Sequence, residues 1–262
     1  MGSDSRLLIT VLENGTQNAE LFGKLESLIP LLGGTMGLVK RAYWINNPRL
    51  ATQFELFLEC TAARHELNPN EFQSGGWKYA STDLELKTAF MAKLQDYTGQ
   101  VSHLQLPRGV IPMIQGTQEN AGHRIAKNGF GILATLDPGY YGQGIYLTSK
   151  MPYAFSYAKE AQDQTKVFMV CLTVPGNALP ITAAPYSDPT PFPRIPNSKG
   201  FLASPCQRGY QSHYTVVTKA NKATEGYPMR ESPIRESFDE LVVFEPAQAL
   251  PVFLVFMSNP GV

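Results

Sequence analysis

The chain has 262 residues, enough for one large domain with a substantial hydrophobic core. Lysine plus arginine and aspartate plus glutamate number 22 each, so no net charge draws the protein towards nucleic acid or an acidic membrane surface. The three widely separated cysteines argue against a zinc ribbon or a disulfide framework, and the lack of a long apolar run or signal peptide predicts an intracellular protein, cytoplasmic or nuclear, with no membrane partner.

The first part of the chain is predicted to be mainly helical. Residues 20–29 carry apolar side chains at helical spacing and are followed by Pro30, and residues 1–36 as a whole are predicted to be an N-terminal helical extension packed on the core. A strand is predicted at 38–45, and two further helices at 50–65 and 82–97.

The rest of the chain is predicted to be rich in short strands. A strand at 110–114 is expected to be broken by Gly116-Thr117, and a helix at 119–127 to be closed by Gly129 in a left-handed conformation. A helix beginning with proline is expected at 152–161, and a long proline-rich loop at 177–205. Further strands are predicted at 167–174, 214–218, 240–244 and 252–257. This order of elements predicts an α+β fold with a mostly antiparallel, split sheet.

The segment Tyr141-Gly142-Gln143-Gly144-Ile145-Tyr146 places two glycines between aromatic residues. Glycine at two of three positions indicates a sharp turn or the close approach of another molecule, and tyrosines beside it offer flat apolar faces with a polar tip. Two interpretations stay open: a platform for a planar, partly polar ligand, or a glycine-kinked strand with ordinary core tyrosines.

Single polar residues give weaker signals. Glu240 opens an apolar run and is either a solvated residue at the end of a strand or a carboxylate held in a cleft, while Gln115 ends a strand just before Gly116. His65 and His123 lie in predicted helices and are interpreted as surface residues, and His213 as a structural one. The histidine and cysteine spacings predict no metal site, and no Rossmann, P-loop or hydrolase-elbow motif is present.

Taken together, these segments resemble one family, the catalytic domain of the poly(ADP-ribose) polymerases and their mono-ADP-ribosylating relatives. The opening strand with its Asn47-Pro48 ending is similar to the family's first strand, and three further blocks follow in the family's order. They are Ile114-Gln115-Gly116-Thr117 with the helix and Gly129-Phe130 after it, Tyr141–Thr148 with Tyr157, and Glu240–Phe244 with Gln248–Pro251. The resemblance covers residues 37 to 257 and implies a catalytic domain over 37–262.

The resemblance implies an ADP-ribosyltransferase fold whose two small sheets form a cleft for NAD, the co-substrate, without a metal. Gly116 would clamp the nicotinamide carboxamide through its backbone, with Thr117 beside it. Tyr157 would stack on the nicotinamide ring, and Tyr146 would line the opposite wall. Tyr141 also belongs to the implied NAD-binding set. The loop 130–141 would cover the dinucleotide, and the stretch 177–205 would lie towards the acceptor.

The implied catalytic residues are Gln115, Tyr146 and Glu240, a Gln-Tyr-Glu variant of the family's His-Tyr-Glu triad. Glu240 would hydrogen-bond the ribose hydroxyl beside the bond that breaks. Gln115 replaces the histidine that contacts the adenosine-side ribose, and Ala154 stands where a serine is expected, unless Ser156 or Thr148 takes its place.

Two functions follow as expectations. The first is transfer of one or a few ADP-ribose units from NAD to a macromolecular acceptor, a protein or else a nucleic acid. The second is a catalytically impaired domain that binds NAD or ADP-ribose weakly or serves as an interaction module, as Gln115 and Ala154 together would favour.

Overall fold

The computed structural model describes residues 8–12, 18–69, 76–79, 83–131, 139–182, 201–202, 204–218 and 237–259. Within these ranges the protein has nine strands in two sheets and five α-helices. The predicted α+β class with two mostly antiparallel sheets is confirmed. None of the described helices has the length and apolarity that a membrane crossing requires.

The larger sheet has five antiparallel strands in the order β1-β2-β9-β5-β3. Their bounds are Leu8–Leu12 (β1), Val39–Asn46 (β2), Ile111–Thr117 (β3), Lys166–Thr173 (β5) and Ala249–Met257 (β9). The edge strand β1 was not predicted from the sequence. The predicted break at Gly116-Thr117 is wrong, since both residues continue β3 and pair with Phe168 and Val167 of β5.

The smaller sheet has four strands in the order β4-β8-β7-β6. They span Ile145–Leu147 (β4), Ala178–Pro180 (β6), Ser212–Val217 (β7) and Phe238–Val243 (β8), and only the β6–β7 pair is parallel. The two sheets meet where Ile114 of β3 and Thr148, just after β4, form an isolated antiparallel bridge. This bridge brings the end of β3 beside the end of β4.

The helices flank the sheets. They span Ala19–Leu31 (α1), Pro48–Leu67 (α2), Leu84–Gln100 (α3), Glu119–Asn128 (α4) and Met151–Ala154 (α5). The prediction of a helix over 152–161 is wrong in length, because regular helix ends at Ala154 and hydrogen-bonded turns carry the chain to Ala158. Gly129 follows α4 with a positive φ of 83°, as predicted for a left-handed C-cap. Its ψ of 178° is extended, however, so the residue lies outside the left-handed helical region.

The hydrogen bonds of the Asn47 side chain explain why an asparagine precedes Pro48 at the start of α2. Its side-chain oxygen accepts from the N–H of Leu50 at 3.3 Å, while its amide nitrogen donates to the carbonyls of Ala126 and Lys127 at 2.9 and 3.0 Å. One buried side chain thus caps the start of α2 and the end of α4. Pro48 occupies the first helical turn, where its missing N–H has no cost.

Four apolar clusters lie within the described residues, the smallest of them around Phe54 of α2. The largest lies between the sheets and includes Met113, Met169, Tyr214 and Leu241, with Phe90 of α3. A second packs α1 against the outer face of the five-stranded sheet through Leu25, Leu28 and Ile29, among others. The third lies on the outer face of the four-stranded sheet and includes Tyr141, Tyr153, Val242 and Phe244. The candidate site lies at this third cluster.

Candidate functional site

Strand β8 separates two acidic side chains by simple alternation. Successive residues of a strand point to opposite faces, so Asp239 shares a face with Leu241 and Val243 of the inter-sheet core. Glu240 shares the other face with Val242, which belongs to the third cluster. Neighbouring acids in the sequence therefore lie in different environments.

Glu240 is mostly buried and is not a solvated residue at the end of a strand. It is only 8% exposed, and it lies opposite Thr215 of β7 in the sheet register. Its Oε1 atom accepts a hydrogen bond of 2.5 Å from the hydroxyl of Tyr153. Glu240 is therefore a mostly buried carboxylate, held in place by the backbone of β8 and by a short hydrogen bond.

Tyr153 and Tyr157 form a pair beside Glu240. Their hydroxyl oxygens are 2.9 Å apart and their rings meet edge to face, with centroids 5.3 Å apart. Burial and the negative charge of Glu240 raise the pKa of Tyr153 well above its ordinary value, so its hydroxyl keeps its proton. Tyr153 is buried, whereas Tyr157 is 48% exposed and offers its ring to solvent at the mouth of the cleft.

Gly116 lies directly under the turn that carries Tyr157. A Cβ added at Gly116 would lie 2.6 Å from the backbone nitrogen of Ala158, 3.0 Å from the carbonyl carbon of Tyr157, and closer still to the carbonyl oxygen of Ala154. Only glycine lets the turn 154–158 rest on β3 at this point. Gly116 and Tyr157 are therefore brought together as the sequence predicted, by backbone packing.

The backbone of Gly116 has a defined direction. In an antiparallel strand alternate residues direct their N–H and C=O groups to the same side, and Ile114 uses both groups on Thr148. Gly116, two residues further on, directs its own pair to that side, beyond the isolated bridge. A donor and an acceptor thus lie next to one another near Tyr157.

The glycines of the tyrosine strip have structural reasons. Gly142 has a φ of 121°, and a Cβ there would lie 2.6 Å from the ring of Phe244. A Cβ at Gly144 would lie 2.7 Å from Val242 and 2.5 Å from the carbonyl oxygen of Val243. The backbone turns at Gly142 and lies close against β8 at Gly144, as the structural interpretation of the strip requires.

The tyrosines of this strip differ in accessibility. Tyr141 is 1% exposed and is a packing residue of the third cluster, so its ring is not available to a ligand in this conformation. Tyr146 is partly buried, and its hydroxyl accepts from the N–H of Tyr141 at 2.7 Å and donates to the carbonyl of Gly142 at 2.9 Å. Tyr146 therefore braces the turn with its hydroxyl and lines the cleft with its ring.

His213 is a structural histidine, as predicted. It is buried, with Nδ1 2.6 Å from the carbonyl oxygen of Tyr141 and Nε2 accepting from the N–H of Gln207 at 3.2 Å. Burial lowers its pKa to about 4, so the ring is neutral and Nδ1 carries the proton donated to Tyr141. The His213 ring thus holds the backbone of the turn at Tyr141 through this hydrogen bond.

Gln115 lies on β3, next to Gly116. It pairs with Met169 of β5, and alternation places its side chain on the face of β3 opposite to that of Gly116. The residue is partly exposed, as is Thr117, whose carbonyl accepts from the N–H of Lys159 at 2.9 Å. Among the described contacts, Gly116, Tyr157 and Glu240 are linked through Tyr153, and Gln115 is not part of that chain.

The hydroxyl expected three residues before Tyr157 has no obvious substitute. Ala154 is buried, and the hydroxyl of Thr148 donates to Oδ1 of Asp239 at 2.9 Å. Ser156 is exposed. Most of the loop predicted over the dinucleotide, 132–138, lies outside the described residues, as does 183–200 of the proline-rich stretch.

Asp239 and Tyr153 are the residues that sequence reasoning missed. Asp239 is 1% exposed and accepts from Thr148, from the N–H of Ser149 at 2.9 Å and from the hydroxyl of Tyr214 at 3.2 Å. It ties the start of α5, and so Tyr153, to β8. The signals were present: Asp239 alternates with Glu240 towards the core, and Tyr153 precedes Tyr157 by one helical turn.

The described residues contain no group of three or more His, Cys, Asp or Glu side chains arranged to hold a metal ion. Comparison with protein-family models returned no match, and neither did comparison with curated proteins. The family resemblance therefore depends on the motifs themselves and stays a prediction.

Proposed function

We propose that this protein is an ADP-ribosyltransferase that cleaves NAD at the nicotinamide–ribose bond and transfers ADP-ribose, as single units or short chains, to a macromolecular acceptor, in the first place a protein. The observation that carries the proposal is the Glu240 carboxylate, mostly buried and fixed by Tyr153, next to the half-exposed ring of Tyr157. A cleft with one oriented carboxylate and one available aromatic ring suits a planar leaving group on a sugar.

The residues around the cleft fit nicotinamide in shape and polarity. A primary carboxamide has one donor and one acceptor side by side, which matches the adjacent N–H and C=O of Gly116. The ring of Tyr157 would stack on the pyridinium, and the partly buried ring of Tyr146 would form the other wall. Because the hydroxyl of Tyr146 is bound to the turn at Gly142, its part is that of a rigid wall.

Glu240 supplies the electrostatic part of the chemistry. As the bond from the ribose carbon to the pyridinium nitrogen breaks, its electron pair goes to nicotinamide, which leaves neutral, and positive charge develops on the ribose. A fixed carboxylate in a cleft of low polarity stabilises that charge without reorganising. The same carboxylate can take the proton of an acceptor hydroxyl as the new bond forms.

A second candidate function is an impaired relative that binds NAD or ADP-ribose without turnover. Two observations favour it: Gln115 stands where the family has a histidine, and the hydroxyl of Thr148, a candidate substitute for the one missing at Ala154, already donates to Asp239. Glutamine in place of histidine costs one neutral hydrogen bond at most, on the order of 1 kcal/mol. Such a loss weakens binding by about fivefold and does not by itself remove the carboxylate chemistry.

Release of nicotinamide from NAD by the purified chain tests the two functions. We expect the wild type to release nicotinamide and the Glu240→Gln variant to release none. Glu59 is an exposed glutamate on α2, and the control variant Glu59→Gln should release nicotinamide as the wild type does. If the wild type is inactive and Gln115→His restores release, the impaired-domain function is correct. Release that survives Glu240→Gln would contradict the role of this carboxylate. A thermal shift with NAD or nicotinamide checks binding independently of turnover.

A further inference from the structure

A chain of two tyrosine hydroxyls leads from Glu240 to the surface of the protein. The hydroxyl of Tyr153 is 2.5 Å from Oε1 of Glu240, and the hydroxyl of Tyr157 is 2.9 Å from that of Tyr153. Glu240 and Tyr153 are buried, at 8% and 2% exposure, whereas Tyr157 at the outer end is 48% exposed. Two hydroxyl groups thus connect the mostly buried carboxylate to a half-exposed tyrosine.

The direction of these hydrogen bonds follows from the number of protons. Tyr153 has one hydroxyl proton and donates it to the carboxylate, which has none to give when ionised. The oxygen of Tyr153 is therefore the acceptor in its bond with Tyr157, and Tyr157 is the donor. Both protons point inwards, towards Glu240.

The ring of Tyr153 is held independently of its hydroxyl. It stacks on Phe238 with centroids 5.4 Å apart and planes 20° apart, and it packs within the third cluster. Removing the hydroxyl alone therefore leaves a ring of the same shape in the same position. The short bond to Glu240 is a distinct feature of this site, and it engages one of the two oxygens of the carboxylate on which the proposed chemistry depends.

We propose that Tyr153 is the positioning residue for Glu240, and that Tyr153 and Tyr157 together form the path by which the proton of the acceptor leaves the site. This inference rests on the proposed function. The acceptor oxygen forms its bond to the ribose carbon and gives its proton to Glu240. Once protonated, Glu240 becomes the donor, so the hydroxyls of Tyr153 and Tyr157 turn to point outwards. The proton of Glu240 then passes to the oxygen of Tyr153 as the proton of Tyr153 moves to Tyr157 and that of Tyr157 goes to solvent. Each hydroxyl then has one proton again, and the carboxylate is ionised.

The test compares three Tyr→Phe variants of the whole chain. Tyr153→Phe breaks the bond to Glu240, Tyr157→Phe keeps the stacking ring and breaks only the outer link, and Tyr43→Phe is the matched control. Tyr43 lies on β2, where its ring meets Phe256 with centroids 5.7 Å apart. Nicotinamide release is measured against NAD concentration and pH.

We expect Tyr153→Phe to lower kcat about tenfold to a hundredfold, the factor that corresponds to a hydrogen bond to a charged group, with KM for NAD unchanged. Since the ionised carboxylate loses a donor, the acidic limb of the pH profile moves to higher pH. Tyr157→Phe should lower kcat severalfold, also at constant KM, and the control should match the wild type. Since Glu240→Gln abolishes release, the coupling between Tyr153 and Glu240 is measured from the unfolding free energies of Tyr153→Phe, Glu240→Gln and the double variant, which should not be additive.

The outcomes separate this inference from the proposed function. If the wild type is active and Glu240→Gln is not, while Tyr153→Phe and Tyr157→Phe keep full activity and an unchanged pH profile, the inference is wrong and the transferase function stands. If Tyr153→Phe fails to fold, the result for Tyr157→Phe decides. A wild type that releases no nicotinamide overturns both. Even with an inactive wild type, non-additive effects of Tyr153→Phe and Glu240→Gln on the free energy of unfolding would measure the hydrogen bond between Tyr153 and Glu240.

Discussion

Replacing Gly116 with alanine tests whether backbone packing on β3 builds the cleft. The new methyl group would lie 2.6 Å from the nitrogen of Ala158 and closer still to the carbonyl oxygen of Ala154, and both are backbone atoms of a hydrogen-bonded turn. Neither can swing away as a long side chain could. The turn must therefore shift off β3 and take Tyr157 with it.

The expected loss follows from two opposing effects. Overpacking a tight contact costs about 1–3 kcal/mol. The reduced freedom of the unfolded chain returns about 0.4–1 kcal/mol. We expect a net loss of about 1–2 kcal/mol, which for a chain of this size lowers Tm by roughly 2–8 °C.

The same substitution, glycine to alanine, should stabilise the protein when it is made at Gly23. A Cβ at Gly23, inside α1, meets no atom within 4 Å. Gly23→Ala should therefore stabilise the protein by about 0.5–1 kcal/mol through helix propensity alone.

Chemical denaturation of both variants, with a nicotinamide thermal shift on each, is the measurement. Gly116→Ala should lose the nicotinamide shift, and Gly23→Ala should keep it. A Gly116→Ala protein that is as stable as the wild type and still binds nicotinamide would refute the argument that the turn 154–158 depends on a bare β3 backbone.

Two further predictions concern the groups behind the cleft. Asp239→Asn places an amide among three donors and should cost about 2–3 kcal/mol in urea denaturation. Asp96→Asn, at an exposed position of α3, should stay within about 0.5 kcal/mol, and equal effects would contradict the buried network. Because the pKa of His213 is about 4 in the folded protein and 6.5 ordinarily, the unfolded chain alone takes up its proton as pH falls between these values. Stability should therefore be independent of His213 above pH 6.5 and decline below it by about 1.4 kcal/mol per pH unit, a slope that His213→Gln reduces; an unchanged slope would show that His213 is not the group responsible.

Local patterns in the sequence predicted most of the elements, because they depend on periodicity and on turn chemistry. The helical spacing of apolar residues in α1 and in α2 depends on neighbours within one or two turns. The errors occur where a distant element decides. The glycine at 116 was expected to end the strand, but Gly116 continues β3 because β5 pairs with it there. The helix at 151 ends after one turn, because the following turn rests on β3.

The candidate site divides in the same way. The family resemblance, which depends on short motifs, implied Glu240, Gly116 and Tyr157 as site residues, whereas residue type and spacing alone left Glu240 with two interpretations. His213 was interpreted as structural, in agreement with its burial and its two hydrogen bonds. Only the tertiary structure showed that Tyr153 binds Glu240, that Asp239 faces the core, and that Gln115 and Gly116 point to opposite faces of β3. These relations join residues that are far apart in the chain, such as Tyr153 and Glu240, or depend on the face of a strand. A hydrogen bond of 2.5 Å between them exists only once both sheets have packed and their registers are set.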